Sequence, residues 1–471
     1  MIESLYLPPL YDHIAALLKT SHAYLVGGAV RDLLLKRTVH DLDFALPAET
    51  IQTARKVADK LGGAFYVMDQ ERQTARVILR DEEGKRMMID FTRFQGETIE
   101  DDLRARDFTI TSMALNIQEP IKIIDPFLGA QDLKDRLLRT TSESALGDDP
   151  LRCIRAVRLA AQFDLRITPE TKTQIRHNQT KLAVVSQERI RDELFRILEG
   201  PNQTAAIQSL QVLGLLKYIL PGEYAPDLVK TIRSLEEIWT ILLKPHDQHS
   251  AANWSLGLLV HSLGRYRAEI KTLLAEEPVP DRSIYQLSYL VPFMVTQLNN
   301  NQLLDSTGEI REKLQPSNQE MAFLENCARS AGEFQQLIQM ETGPLPLDVY
   351  RYYRSFGSAG VVGVYLALAD FLGKQIPIDQ QTGWTLRLDR ARVLLDGWWE
   401  RHAEWVNPPV LLDGNDLQLE YGILPGPRIG ELLEFIREAQ VKHCLGSREQ
   451  ARSFLEDLLQ DNMGQQNDKS S

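Results

Sequence analysis

Cysteine is scarce. Three residues, Cys153, Cys327 and Cys444, stand far apart in a chain of 471. No CxxC pair and no Cys/His cluster occurs, which argues against a zinc site or a disulfide scaffold. No apolar run reaches the roughly 20 residues needed to cross a bilayer. The opening residues, MIESLYLPPLYDHI, carry acids and prolines where a signal peptide has a basic and then an apolar stretch. A soluble cytoplasmic chain without membrane contact is therefore expected. Positive charge is also in short supply, with a net charge of −12. A protein that coats nucleic acid indiscriminately is usually basic, so any nucleic-acid binding here must come from a local patch. The balance of 43% hydrophobic and 25% charged residues is ordinary for a globular chain and excludes a mostly disordered one.

What is present falls into two styles of sequence. The length suggests about three domains. Residues 20 to 140 alternate short β-rich runs with helical patterns. AYLVGG reads as a strand running into a glycine turn, AVRDLLLKR as a helix, and DLDFAL as a second strand. ETIQTARKVADKLGG is an amphipathic helix closed by glycine, and AFYVMD, ARVILR and MMIDFTRF are further strands, with DEEGK as the last turn. After about residue 141 the strand signal fades and helical periodicity dominates to the end, where DNMGQQNDKSS is polar and frayed. No internal repeat is found. The expected architecture is an α/β head, one small mixed sheet with helices packed on it, followed by an all-helical remainder.

Three stretches of the head carry chemistry. In Val26-Gly27-Gly28-Ala29-Val30-Arg31-Asp32, two glycines lie between a strand and a helix, where the backbone approaches a ligand closely and a helix N-terminus favours phosphate. Arg31, one turn in, adds a charge-assisted contact. In Asp41-Leu42-Asp43-Phe44, positions i and i+2 share a strand face, so the two carboxylates project together while Leu42 and Phe44 point inward. Two such carboxylates repel unless a cation lies between them, as a Mg²⁺ site for phosphoryl transfer requires. DxD alone is more often a solvent-facing stripe; with GGAVRD ten residues upstream the metal reading is favoured. Asp90, on a later strand, is a candidate third carboxylate, with a plain surface position equally open. In DDLRARDFTI, Arg104 and Arg106 are candidates to face a triphosphate with Asp107 orienting a neighbour, although the stretch alone reads as an ordinary charged segment.

Read in order, LVGGAVRDLLL, HDLDFAL, EDDLRARDFTITSMALNI, IDPFLGAQDLKDRLLRTT, DDPLRCIRAVRLAAQF and VSQERIRDELFRIL resemble the class II tRNA nucleotidyltransferase and bacterial poly(A) polymerase family. The resemblance is continuous from about residue 20 to 200. It implies a nucleotidyltransferase head (1–140), a helical neck that selects the nucleotide and binds RNA (141–225), and a helical body and tail (226–471) that bind tRNA. It implies that Gly28, Arg31 and Arg106 contact the nucleotide phosphates and that Asp41 and Asp43 hold Mg²⁺. Two departures from the family pattern leave the choice of nucleotides open: Arg104-Ala105-Arg106 replaces adjacent arginines, and Thr111-Ser112 replaces Asn-Ala.

In the neck, Pro150 suits a first helical position and Asp149 the N-cap before it. Arg152, Arg155 and Arg158 follow at a spacing of three, a drifting stripe on one helix face. Cytosine and adenine both offer an amine donor beside a ring-nitrogen acceptor. An aspartate only accepts and an arginine only donates, so Asp149 and Arg152 fit that edge, whereas guanine and uracil leave buried groups unpaired. The resemblance gives the pair this role and lets Arg155 and Arg158 contact the phosphates or hold the pair in place. A plain N-cap and a solvated face are the alternatives for an isolated helix. Residues 151–200 hold ten Lys/Arg against six Asp/Glu, a local basic patch in an acidic chain. Ser186-Gln187-Glu188-Arg189 is expected to stabilise the neck without doing chemistry.

Further on, Leu259-Val260-His261-Ser262 resembles a degraded phosphohydrolase core whose serine cannot replace a carboxylate ligand, so no such activity is expected and His261 is read as an ordinary helix residue. His246-Asp247 lacks the helical context. Asp413-Gly414-Asn415-Asp416-Leu417 and Pro425-Gly426-Pro427-Arg428-Ile429-Gly430 resemble a C-terminal segment of relatives, with a capped helical hairpin the equal alternative. Trp239, Trp254, Trp384, Trp398, Trp399 and Trp405 are expected in the core. The whole implies an enzyme that adds CMP or AMP from CTP or ATP to the 3′ acceptor end of tRNA without a nucleic-acid template, using Mg²⁺ and no obligate protein partner. A poly(A) polymerase and a non-catalytic RNA-binding protein on the same scaffold are the alternatives.

Overall fold

The protein is described here from a computed structural model over residues 9–19, 21–39, 41–80, 86–118, 121–220, 227–243, 254–280, 282–298, 310–374 and 380–467. The DEEGK turn and His246-Asp247 lie outside the described residues. The chain divides into two compact units, Met1–Leu220 and Pro221–Ser471.

In the first unit, helix α1 (Pro9–Leu17) precedes β1 (Tyr24–Val26), α2 (Gly28–Leu34), β2 (Asp41–Leu46), α3 (Thr50–Leu61) and the strands β3 (Ala64–Asp69), β4 (Thr74–Arg80) and β5 (Arg86–Arg93). Then come α4 (Ile99–Ala105), β6 (Ala114–Asn116), β7 (Lys122–Ile124), α5 (Gly129–Lys134) and β8 (Leu137–Leu138). The seven-stranded sheet has the order β3-β4-β5-β2-β1-β6-β7. It is antiparallel except where β2 lies parallel to β5, with Asp43 opposite Asp90. Helix α3 makes that crossover possible, since parallel neighbours need a long connection. Val57 and Ala58 of α3 are buried, and Gly62 closes the helix in the left-handed conformation. Leu42, Phe44, Val77, Ile89 and Phe91 are fully buried; β4 and β5 follow the apolar alternation, whereas β2 is buried without a break from Phe44 to Leu46.

The helical continuation is α6 (Ala145–Asp148), α7 (Arg152–Phe163), β9 (Arg166–Ile167), α8 (Pro169–Asn178), α9 (Gln187–Glu199), α10 (Gln203–Val212) and α11 (Leu216–Ile219). Strand pairing does not end at residue 141 as expected: β9 runs parallel to β8, a two-stranded stitch too short to carry a period. Leu151, Cys153, Ile154, Ala156, Val157 and Leu159 are the buried side of α7. The helix start differs from the expectation of a cap at Asp149 and a first residue at Pro150: the capping position is Leu151. Asp149 is extended, and its Oδ1 accepts from Leu151 N at 3.2 Å, although regular helix begins only at Arg152.

The second unit is built from helices. The helix Ser358–Gly373 is apolar around its whole circumference, and such a helix belongs inside a core. A Cβ at Gly363 would come 2.0 Å from Ser330 Oγ on the helix Asn318–Ile338, and one at Gly373 would come 2.8 Å from Thr231 N on the helix Leu228–Leu243. These glycines let three helices approach closely. Trp239 and Trp384 are buried as expected, whereas Trp254 is 48% exposed at the start of its helix, a correction: one helix face cannot cover a ring at its own first residue. His261 lies on the same helix, exposed. Near the C-terminus, Asp413 caps the helix Gly414–Tyr421 through a reciprocal pair with Asp416, and Pro427 opens the helix Pro427–Val441. Leu412, Leu417, Leu432, Ile436, Ala451 and Leu455 pack together there.

Candidate active site

The strand alternation of β2 puts Asp41 and Asp43 on the face opposite the buried Leu42 and Phe44, with Asp41 exposed and Asp43 half-buried. Burial, the largest influence, pushes the Asp43 carboxyl up to about 6, with the Arg106 guanidinium opposing and the carboxylates of Asp90 and Asp41 adding to the rise. A carboxylate in this state gains from a cation beside it. Asp90 lies beside Asp43 in register but is taken: Arg76 grips it with two hydrogen bonds of 2.7 and 2.8 Å.

Gly27, which precedes α2, has φ +72°. A side chain there would be strained, and its Cβ would lie 3.0 Å from Arg106 Nη1 and 3.5 Å from Asp43 Oδ2. Gly27, more than the expected Gly28, is the position that only glycine fits. Arg106 itself is anchored: its Nε and Nη2 both donate to Oδ2 of the buried Asp102, 3.0 Å away, which leaves Nη1 turned toward Gly27. Asp102 escaped the sequence reading, although its spacing of four before Arg106 on a helix was a usable signal. Arg104 does not share this direction; it is exposed over the Phe127 ring. Asp107 orients neighbours as expected. It accepts from Thr111 Oγ1 at 2.6 Å and Phe108 N at 2.9 Å, and Arg155 Nη1 is 3.4 Å away.

Arg31 and Gly28 sit apart from the main cavity. A Cβ at Gly28 would meet Arg31 Nη2 at 3.3 Å. Arg31 is 8% exposed, held by both oxygens of Asp32, and stacked 4.0 Å above the Phe163 ring. Burial depresses its pKa and Asp32 counteracts that; the guanidinium nevertheless remains charged.

A cavity of about 1380 Å³ collects Arg106 and Asp102 with Asp149, Arg152, Ser186 and Arg189. Arg152 donates to two backbone carbonyls, Ala145 O at 2.9 Å and Ala105 O at 3.1 Å. Asp149 Oδ2 accepts from Arg189 Nη2 at 2.7 Å. Arg189, expected to be structural only, therefore touches the carboxylate expected to read the base. The other two arginines of the stripe turn elsewhere. Arg158 Nε lies 2.6 Å from Oε2 of the buried Glu193, and Arg155 Nε lies 3.8 Å from its Oε1. The structure thus brings Arg106, Asp149 and Arg152 to one cavity and leaves Gly28, Arg31, Asp41, Asp43, Arg155 and Arg158 outside its lining, with Asp43 near Arg106 at Gly27.

Among the described residues no group of three or more His, Cys, Asp or Glu side chains is arranged to hold a metal alone. Two strand carboxylates on one face have the donor chemistry for a hard cation that takes the rest of its ligands from substrate and water. Among the described residues no single helix is long and apolar enough to cross a membrane.

Comparison with known proteins now has a geometry to meet. Residues 23–139 match the poly A polymerase head domain, and residues 164–225 match the probable RNA and SrmB-binding site of polymerase A. The chain is 30% identical over 438 residues to the CC-adding tRNA nucleotidyltransferase of Geobacter sulfurreducens, covering 92% of this chain and 91% of that one. It is 29% identical over 464 residues to the A-adding tRNA nucleotidyltransferase of Deinococcus radiodurans, covering 94% and 96%. The solved structure of the Thermotoga maritima CCA-adding enzyme complexed with tRNA-CCA shares the fold, with a TM-score of 0.64 at 22% identity over 97% of each chain. Nucleotidyl transfer of this kind is generally metal-dependent. A head sheet bearing paired aspartates, a helical neck and similarity along nine-tenths of the chain lead to one conclusion: this protein belongs to the tRNA nucleotidyltransferase family, whose head domain is that of the poly(A) polymerases.

Proposed function

We propose that this chain adds CMP, AMP or both to the 3′ end of tRNA from CTP and ATP, with release of pyrophosphate and in the cytoplasm. The observation that carries the reading is the single cavity in which Arg106 of the head meets Asp149 and Arg152 of the neck, beside Asp43. Asp41 and Asp43 would hold Mg²⁺, which would supply activation of the terminal hydroxyl of the RNA and charge neutralisation at the leaving pyrophosphate. Arg106, fixed by Asp102, presents Nη1 to the triphosphate, and Gly27 leaves the space that permits it. Gly28 and Arg31 stand apart from this cavity, and Arg31, held by Asp32 and Phe163, fixes the start of α2 instead of meeting the triphosphate. Asp149 accepts from the exocyclic amine of cytosine or adenine while Arg152 donates to the ring nitrogen. The carbonyls of Ala145 and Ala105 take one N–H each from Nη1 and Nη2 of Arg152, which leaves three of its five donors for the base. Arg155 and Arg158 act through Glu193 to hold α7 in place.

The test uses three labelled tRNAs, ending at the discriminator base, at CC and at CCA, each with Mg²⁺ and CTP, ATP or both. Growth of the first to CCA and no further makes this a complete CCA-adding enzyme. A stop at CC, or growth only from CC, makes it one half of a divided pathway. A long ladder from ATP alone replaces the reading with a poly(A) polymerase, and no growth from any substrate with any nucleotide refutes catalysis.

A further inference from the structure

Asp149 is held at both oxygens. Oδ1 accepts from Leu151 N at 3.2 Å, within its own helix start, and Oδ2 accepts from Arg189 Nη2 at 2.7 Å, from the first turn of α9. A carboxylate attached only through Oδ1 can still swing, because the terminal torsion of an aspartate is broad. The second attachment fixes the plane. An ionised carboxylate offers about four lone-pair sites, so two remain on a residue that lines the cavity. Arg152 does not supply this constraint, since its Nη1 and Nη2 donate to carbonyls. Both partners are partly open to solvent, with 53% of the Arg189 side chain and 28% of the Asp149 side chain exposed. An exposed pair of this kind adds little to stability, and both residues line the cavity.

We propose that Arg189 is a positioning residue for nucleotide choice: by holding Asp149 Oδ2 it sets which lone pairs of that carboxylate meet the Watson–Crick edge of the incoming base. This deepens the reading of Asp149 as the base-reading acceptor and rests on it. In the absence of Arg189 the carboxylate turns about its remaining bond, and its acceptors no longer match an amine donor at one place. The discrimination against uracil and guanine weakens, because it depends on leaving their groups unpaired at a fixed acceptor.

The test measures kcat/KM for all four nucleotides on one tRNA substrate, with the full-length wild type, Arg189→Ala, Arg189→Lys, Asp149→Ala and the Arg189→Ala/Asp149→Ala double variant. Thermal melting of each protein is recorded alongside. Arg189→Ala is expected to lower the preference for CTP or ATP over UTP and GTP by about tenfold, the factor for one charge-assisted hydrogen bond, with its melting temperature little changed. Arg189→Lys restores part of the preference, and the double variant is no less selective than Asp149→Ala. Should Arg189→Ala melt early, Arg189→Gln takes its place in the same comparison. Intact selectivity in the Arg189 variants beside relaxed selectivity in Asp149→Ala overturns this proposal and leaves the base-reading role of Asp149 standing. A fall in kcat equal for every nucleotide marks a structural role and also overturns it. Unchanged selectivity in Asp149→Ala overturns the reading of Asp149 itself, and this proposal with it.

Discussion

At the scale of the residue, Asp43 shows the conflict between stability and function. Folding places its carboxyl where the charged form is disfavoured, and its pKa rises from 3.8 to about 6. In metal-free protein the sign is clear. The group contributes stability that is fully present below about pH 4 and is lost as the pH rises through about 6. The metal-free Asp43→Asn protein should therefore melt higher than wild type near pH 7.5, by about 2–4 °C, and lose this advantage toward pH 4. Calorimetry in the presence of a chelator checks it, and a lower melting point at pH 7.5 would contradict the burial cause. The same variant should have no measurable nucleotide addition. The aspartate pair was legible in the sequence because a strand's period of two is local, and residues 41 and 43 share a face on any strand. Asp102 and Arg189 were harder to find. The Arg189–Asp149 contact spans 40 positions, and nothing in SQERI says which carboxylate its arginine reaches. Arg31 was read correctly as lying one turn into its helix, but its cover by Phe163 belongs to a helix more than a hundred residues downstream.

At the scale of the element, α7 and α9 are joined by charge as well as by apolar packing. Glu193 is 3% exposed, with Arg158 at 2.6 Å, Arg196 at 3.7 Å and Arg155 at 3.8 Å. Removing the shared carboxylate leaves cations facing one another, and burial already depresses the pKa of Arg158 while Glu193 opposes that shift. Glu193→Ala should destabilise the protein by about 3 kcal/mol, whereas Arg196→Ala, at a 59% exposed side chain, should cost less than ~1 kcal/mol. Equal losses in denaturant titrations would show that α9 is held by apolar contacts alone. The buried side of α7 was visible in its period, Leu151, Ile154, Val157, Leu159. The strands β6 and β7, three residues each, went unread because so short a run completes barely one alternation, and their places come from long-range pairing, β6 on β1 and β7 on β6.

At the scale of the whole molecule, an acidic chain is proposed to grip a polyanion. Its net charge is −12, yet residues 151–200 carry ten basic side chains against six acidic ones. Binding of tRNA should accordingly weaken as salt rises, with log K falling linearly against log salt. A salt-independent affinity between about 50 and 200 mM would move the RNA contact away from charge and toward stacking and shape. The parallel pairing of β2 with β5 and the position of the neck bear also on how the chain is made. Synthesis runs from the N-terminus, and early segments begin to fold first. The strand Asp41–Leu46 cannot be flanked on both sides until Arg93 has emerged, and Asp149 lacks its second hydrogen bond until Arg189 follows. A ribosome that stalls between these points displays a head that already carries Asp41 and Asp43 while Asp149 still lacks one of its two partners, so on the proposed reading the strand for the metal is complete before the pocket for the base.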